Sequence, residues 1–229
     1  ISWAKTWGAN GIIAQIENEQ VYEKLLELNI PIIAQDTNER FFGIPNITGP
    51  YKETGQMAAS YFIEKGFKNF AFYGFDNIVW SRERCEGFCQ KIEDSGFQVH
   101  IYQHQKEETP PLWSYKESRL SDWLKALPKP IAIMTCDDNQ GQHITEACKA
   151  VGINVPEQVS VLGVDNDLSI CNLSDPPLSS ISLNTEKAGF ETAQLLSKMM
   201  ANKEGVYTDI YVEHLQIITR RSTDFLAVN

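Results

Sequence analysis

Residues Val159 to Asp167 read VSVLGVDND, a valine-rich run that offers water only Ser160 before it ends in three consecutive acidic or amide side chains. A strand with one face in solvent alternates apolar and polar residues. A run this apolar belongs to a strand covered on both faces, as in the parallel sheets of α/β proteins. Ile131 to Thr135 (IAIMT), Pro31 to Gln35 (PIIAQ) and Asn69 to Tyr73 (NFAFY) have the same character. Gly11 to Ala14, Asn46 to Thr48, Val99 to Tyr102 and Ser179 to Leu183 are further strand candidates.

Between these runs, 3.6-residue periodicity predicts helices over Glu17 to Asn29, Tyr51 to Lys65, Arg82 to Ser95, Ser114 to Leu127, Asn139 to Ala150 and Glu186 to Asn202. In the last, Phe190, Ala193, Leu196 and Met200 form one apolar stripe. Gly66, Gly96 and Gly152 each follow a helical pattern, where a left-handed terminus favours glycine. Strands alternating with helices define an α/β fold with parallel sheets. Tyr207 to Ile218 alternates again, and Thr219-Arg-Arg-Ser-Thr-Asp224 reads as a polar exit into a linker. No internal repeat or low-complexity tract interrupts the pattern.

The chain has 229 residues, enough for one large or two small domains, and 42% of them are apolar, ordinary for a globular core. Thirty acidic against twenty basic residues leave a net charge of −10, the opposite of a nucleic-acid surface. These residues by themselves should not grip DNA. Five cysteines (Cys85, Cys89, Cys136, Cys148, Cys171) without CxxC spacing argue against a disulfide framework or zinc site and for a reducing, cytoplasmic setting, with most of them acting as small buried hydrophobes. No apolar run approaches the roughly 20 residues of a membrane helix. The first residue is Ile1, so a piece of a longer chain is expected.

Several chemistries lack their signatures: there is no GxG, no GxxxxGK[ST], no GxSxG elbow and no HExxH helix. His100 and His104 share a face of a probable strand without a third ligand, which reads as an exposed edge pair. What remains is polar chemistry at the carboxyl ends of predicted strands, where open α/β sheets bind ligands. Asp36 follows PIIAQ, Asp137 and Asp138 follow IAIMTC, and Asp165-Asn166-Asp167 closes the opening stretch. Arg84 lies early in the helix after the Phe70 strand, with Trp80 just before it.

Carboxylates accept hydrogen bonds, a guanidinium donates them, and a sugar hydroxyl does both. A ring of Asp and Arg with aromatic faces at Trp80 and Trp113 therefore suits a neutral polyol and needs no cofactor. Each residue also has a plainer reading: Asp138 as a helix N-cap, Arg84 as a surface partner of Glu83 or Glu86, Trp113 as a surface plug after Pro110-Pro111. Trp123, among Leu120, Leu124 and Leu127, reads as core. The Asp cluster also admits Mg²⁺, although no phosphate-binding loop accompanies it.

The stretch VSVLGVDN, followed by Pro176-Pro-Leu-Ser-Ser-Ile-Ser182 and a helix, resembles the closing half of the LacI/GalR-type, periplasmic-binding-protein-like sugar sensors. Gly66-Phe-Lys-Asn-Phe-Ala-Phe-Tyr-Gly74 and Arg84-Cys-Glu-Gly-Phe88 resemble their middle portion. Within that superfamily, Phe70 to Gly74, Trp80 with Glu83-Arg84, Arg119-Leu-Ser-Asp-Trp-Leu-Lys-Ala-Leu-Pro128 and Arg220-Arg-Ser-Thr-Asp224 are most similar to the sensor domains of xylose operon activators. Those domains precede an arabinose-regulator-type (AraC-type) helix-turn-helix domain.

The resemblance implies two Rossmann-like lobes with the ligand in a cleft between them, residues 1–48 plus 185–205 in one lobe and 49–184 plus 206–229 in the other. It implies hydroxyl-binding roles for Arg84 and Asp165, a position near the ligand for Asp137, and a looser match for Asp36. The family's opening strand and helix have no counterpart before Ile1, which would leave the first lobe short and its sheet edge open.

The expected function is ligand sensing without catalysis: a pentose, D-xylose foremost, bound by a homodimeric regulator whose DNA contacts lie in a domain after residue 229. The alternatives are a solute-binding protein of a sugar transporter and a Mg-dependent α/β enzyme.

Overall fold

A computed structural model describes residues 2–35, 40–104, 116–201 and 205–224. In chain order the elements are α1 (Ser2–Trp7), β1 (Ile12–Gln15), α2 (Glu19–Leu26), β2 (Ile32–Gln35), β3 (Asn46–Thr48), α3 (Tyr51–Glu64), β4 (Phe70–Phe75), α4 (Val79–Asp94), β5 (Val99–His104), α5 (Lys116–Ala126), β6 (Ile131–Thr135), α6 (Asp138–Ala150), β7 (Val159–Asp165), α7 (Leu168–Cys171), β8 (Ser179–Leu183), α8 (Thr185–Ala201), β9 (Ile210–Tyr211) and β10 (His214–Ile218). The chain divides into two compact units. Ile1–Pro50, Ile78–Trp80 and Asn184–Glu213 make the first; Tyr51–Asn77, Ser81–Leu183 and His214–Asn229 make the second.

The first unit carries a four-stranded sheet in the order β1-β2-β3-β9, parallel throughout. Ile16, Tyr22, Leu25, Ile32, Ala34 and Phe41 form its core. Asn46, 4% exposed, closes the loop before β3: its amide donates to the Phe41 and Ile44 carbonyls, and its oxygen accepts from the Phe41 N–H.

The second unit carries a six-stranded sheet in the order β10-β8-β7-β6-β4-β5, parallel except where β10 runs against β8. β4 and β6 are buried at every position and β7 at all but Asp165, as expected of strands covered on both faces. Leu120, Leu124, Leu127, Ile131, Ile133, Ile144 and Val159 pack the core, with Trp123 against its rim. Because β4, β6 and β7 are adjacent and parallel, their carboxyl ends converge.

Three helix ends show the anticipated glycine geometry. Gly66, Gly96 and Gly152 have φ of +86°, +84° and +71°. The following residues, Phe67, Phe97 and Ile153, donate back to Phe62, Ile92 and Cys148, satisfying carbonyls that the helix leaves open.

The structure differs from the sequence reading at the C-terminal stretch. Residues 206–213 were expected with the second lobe but lie in the first unit, because Ile210 and Tyr211 pair with Ile47 and Thr48. Two alternating residues are too few for periodicity to say which sheet takes them. Thr219 to Asp224 is no solvated linker: Ser222 is fully buried, accepts from the Ser179 N–H and donates to the Val161 carbonyl. Tyr61 holds the same segment through the hydroxyls of Thr219 and Thr223. Hydroxyl-rich segments satisfy buried backbone groups as readily as they face water, so polarity alone misplaced it.

Candidate functional site

The site grows from the ends of β6 and β7. After Thr135 the chain turns into α6 with Asp137 as N-cap, its side chain accepting from the Gln140 N–H at 2.8 Å. The cap is thus Asp137, not Asp138 as the sequence reading allowed. Asp138, one residue inside the helix and 1% exposed, takes the Ser180 hydroxyl at 2.6 Å on one oxygen and the Asp167 N–H at 2.8 Å on the other. Gly163 makes room for it, since a Cβ there would lie 2.3 Å from Asp138 Oδ1. Burial raises the Asp138 carboxyl to about 6 against the opposing pull of these hydrogen bonds. Asp138 is therefore an internal brace whose oxygens face protein donors.

At the end of β7 the backbone leaves the sheet through two non-glycine residues in the left-handed region, Asp165 at φ +109° and Asn166 at +55°. Such conformations cost about 1–3 kcal/mol each and persist only where surrounding contacts hold them. The Asn166 N–H donates to Ser180 Oγ at 3.0 Å, and the Arg220 guanidinium donates to Asn166 Oδ1 at 2.8 Å.

Arg84 approaches from α4, which is tied to the end of β4 by the Ser81 hydroxyl accepting from the Phe75 N–H at 2.8 Å. Only 4% exposed, Arg84 donates to the Cys136 carbonyl at 2.5 Å, lies 3.7 Å from Asp165 Oδ1 and stands 5.6 Å from the centre of the Tyr51 ring. Lack of solvent at most of its sides drives the Asp165 carboxyl up to about 7, with Asp138, Asp137 and Asp167 adding to the rise while Arg84 opposes it. Its side chain remains 45% open, so water moderates the rise and the carboxyl stays reachable from outside.

Arg84, Asp137, Asp138 and Asp165 are thus brought together within the second unit. Trp80, half-buried in the first turn of α4, groups with the first unit. Asp36 and Trp113 lie outside the described residues. His100 is exposed on β5, at the sheet edge, whereas His104 packs against Tyr73, Phe75 and Tyr102. Sequence reasoning missed Ser180 and Arg220, whose roles depend on contacts 42 and 54 residues away. Among the described residues, no three His, Cys, Asp or Glu side chains stand close enough to share a metal ion, and no helix is long and apolar enough to cross a membrane. A buried guanidinium beside a reachable carboxylate offers donors and acceptors with little net charge, the chemistry that holds a neutral hydroxylated ligand.

Asp165→Asn tests this electrostatic account. A carboxyl whose folded pKa exceeds its unfolded value binds protons better when folded, so its contribution to stability falls as pH rises from about 4 to about 7. The amide should therefore stabilise the protein at pH 8, on the order of 1 kcal/mol after allowance for solvent on the open side, and leave it unchanged near pH 3.5. Thermal unfolding across that range measures it; a gain of equal size at both pH values would refute the account.

Residues 59–223 match the periplasmic binding protein-like domain. The chain belongs to that family. It is 30% identical over 228 residues to the xylose operon regulatory protein of Escherichia coli K12, covering 96% of this chain and 58% of the relative, and 30% identical to the Haemophilus influenzae protein of the same name over 94% and 57%. It thus spans little more than half the length of these relatives. Among solved members of this fold, a xylose-binding transcription activator superposes with a TM-score of 0.81 at 28% identity over 96% of this chain and 60% of that one. A periplasmic binding protein/LacI transcriptional regulator of Alkaliphilus metalliredigens, complexed with D-xylulofuranose, superposes at 0.80 with 22% identity, covering 97% and 80%, and supports the fold alone.

Proposed function

We propose that this periplasmic binding protein-like domain senses a sugar for a bacterial transcription regulator, with a pentose, D-xylose foremost, as its effector. The observation that carries the reading is the buried Arg84 beside the reachable Asp165 at the carboxyl end of β7, braced by Asp138. The similarity to xylose operon regulators across 96% of the chain supports a pentose over other small molecules.

In this reading Arg84 donates to and Asp165 accepts from sugar hydroxyls, Asp137 lies beside them, and Asp36, Trp80 and Trp113 are further candidate contacts. No bond is made or broken. The sugar acts by differential affinity for two arrangements of the protein, which a homodimer in the cytoplasm passes to an AraC-type DNA-binding domain outside these residues. The net charge of −10 supports assigning DNA to a separate domain.

The test is a thermal-shift and calorimetric screen of D-xylose, L-arabinose, D-ribose, D-xylulose and D-glucose on the full-length protein. D-Xylose at millimolar concentration should raise the melting temperature by several degrees and be recovered intact. No shift with any pentose would overturn the sensor reading. Consumption of the sugar in the presence of Mg²⁺ would replace it with an enzymatic one.

A further inference from the structure

Arg220 follows β10 and shares no contact with Arg84 or Asp165 among those described, as if it only tied its own segment to the sheet. Its contacts point elsewhere. Its guanidinium is a fork with one prong on the Leu178 carbonyl at 2.9 Å and the other on Asn166 Oδ1 at 2.8 Å. Leu178 precedes β8, so one prong is anchored on the sheet while the other grips the residue after Asp165. The backbone of Arg220 is itself fixed, its N–H donating to Ser179 Oγ at 2.7 Å and its carbonyl accepting from the same hydroxyl at 2.9 Å.

The gripped residue is one of the two non-glycine residues that leave β7 at positive φ. Without restraint such a turn relaxes, and relaxation would rotate the Asp165 carboxylate away from Arg84, where the separation is already 3.7 Å. Ser180 and Asp138 hold the turn by its N–H groups at Asn166 and Asp167. Arg220 alone, among the described contacts, holds the Asn166 side chain.

We propose that Arg220 is a positioning residue for the ligand site: its fork locks the Asp165–Asn166 turn in the conformation that presents the Asp165 carboxylate, and it does so without touching ligand. The proposal deepens the sensor reading and rests on it for the ligand. The geometric lock itself is independent of any sugar.

A lysine keeps the charge but offers no planar fork able to span both acceptors, so charge and geometry separate experimentally. Tyr61→Phe serves as a control, since it removes two hydroxyl contacts to the same terminal segment, at Thr219 and Thr223, and leaves Asn166 alone. Hydrogen exchange on the full-length protein should show the amides of Asn166 and Asp167 exchanging at least about 10-fold faster in Arg220→Ala and Arg220→Lys, with those of β4 and β6 unchanged. Tyr61→Phe should leave all of them as in the wild type. Calorimetry with D-xylose should show a loss of about 10- to 100-fold in affinity for both Arg220 variants and none for Tyr61→Phe. Unchanged exchange at residues 166 and 167, equal loosening in Tyr61→Phe, or full recovery of affinity by lysine would each overturn the proposal. If the wild-type protein binds no pentose the sensor reading falls, while the exchange contrast still decides whether Arg220 locks the turn.

Discussion

Gly87→Ala should unfold the second unit under conditions where the wild-type protein is fully native. Alanine in the middle of a helix ordinarily stabilises by about 0.5–1 kcal/mol relative to glycine, because it narrows the unfolded ensemble. Here the sign reverses. A Cβ on Gly87 would lie 1.9 Å from the Lys52 carbonyl oxygen, 2.6 Å from its carbon and 2.7 Å from its Cα, all backbone atoms of α3. On the other helix, a Cβ on Gly55 would meet the Arg84 carbonyl at 2.1 Å. No rotamer change relieves a backbone clash, so α3 and α4 must separate by an ångström or more, carrying Arg84 away from Cys136 and Asp165.

Overpacking by a methyl group in a deformable core costs about 1–3 kcal/mol, and a rigid backbone contact exceeds that. About 4 kcal/mol is expected against a total stability of roughly 5–15 kcal/mol. Urea titration followed by circular dichroism measures it. Gly189→Ala in α8 is the matched control: a Cβ there meets nothing within 4 Å, so a gain of about 0.5–1 kcal/mol is expected. A neutral or stabilising Gly87→Ala would show that the close packing of α3 on α4 is misplaced.

Arg84→Ala should abolish the response to D-xylose while leaving the fold recognisable. The wild-type guanidinium is almost completely buried, bridges the Cys136 carbonyl toward Asp165, and restrains the upward drift of the Asp165 carboxyl. On the proposed sensor reading its removal takes a donor from the sugar, and it also leaves Asp165 more readily protonated near neutrality. A loss of at least 100-fold in affinity, about 2.7 kcal/mol, is expected by calorimetry. Arg84→Lys should recover little, since a single ammonium cannot reach the carbonyl and face the carboxylate together. Unchanged affinity in Arg84→Ala, with Asp165→Asn also binding normally, would move the sugar site elsewhere.

Much of the fold was legible in the sequence. β6 and β8 begin and end where the sequence reading placed them, at Ile131 to Thr135 and Ser179 to Leu183, and β7 gains only Asp165. Signals of this kind are local, because a doubly covered strand and an amphipathic helix write their periods into a handful of consecutive residues. The four-residue helix α7 left no comparable trace, being too short to show a period, and α1 likewise. Placing β9 in the first sheet depended on two hydrogen-bonded residues that would fit either sheet equally well by pattern.

Of the candidate site, part of the cluster was legible as residues and none of it as an arrangement. Asp137, Asp138 and Asp165 were recognisable because they follow strand ends, the one location in an α/β sheet where exposed backbone and side chains converge. Their separate duties were not. Whether Asp138 caps a helix, binds a ligand or braces the interior depends on Ser180, 42 residues on, and on the absence of a side chain at Gly163.

The VSVLGVDND stretch shows the division. The sequence by itself determined that Val159 to Val164 is a strand buried on both faces and that acidic groups stand at its end, since transfer of apolar side chains from water is set by the residues themselves. Only the tertiary structure decided that Asp165 faces Arg84 and that Asn166 is held by Arg220, because a hydrogen bond acts over about 3 Å of space whatever the distance along the chain.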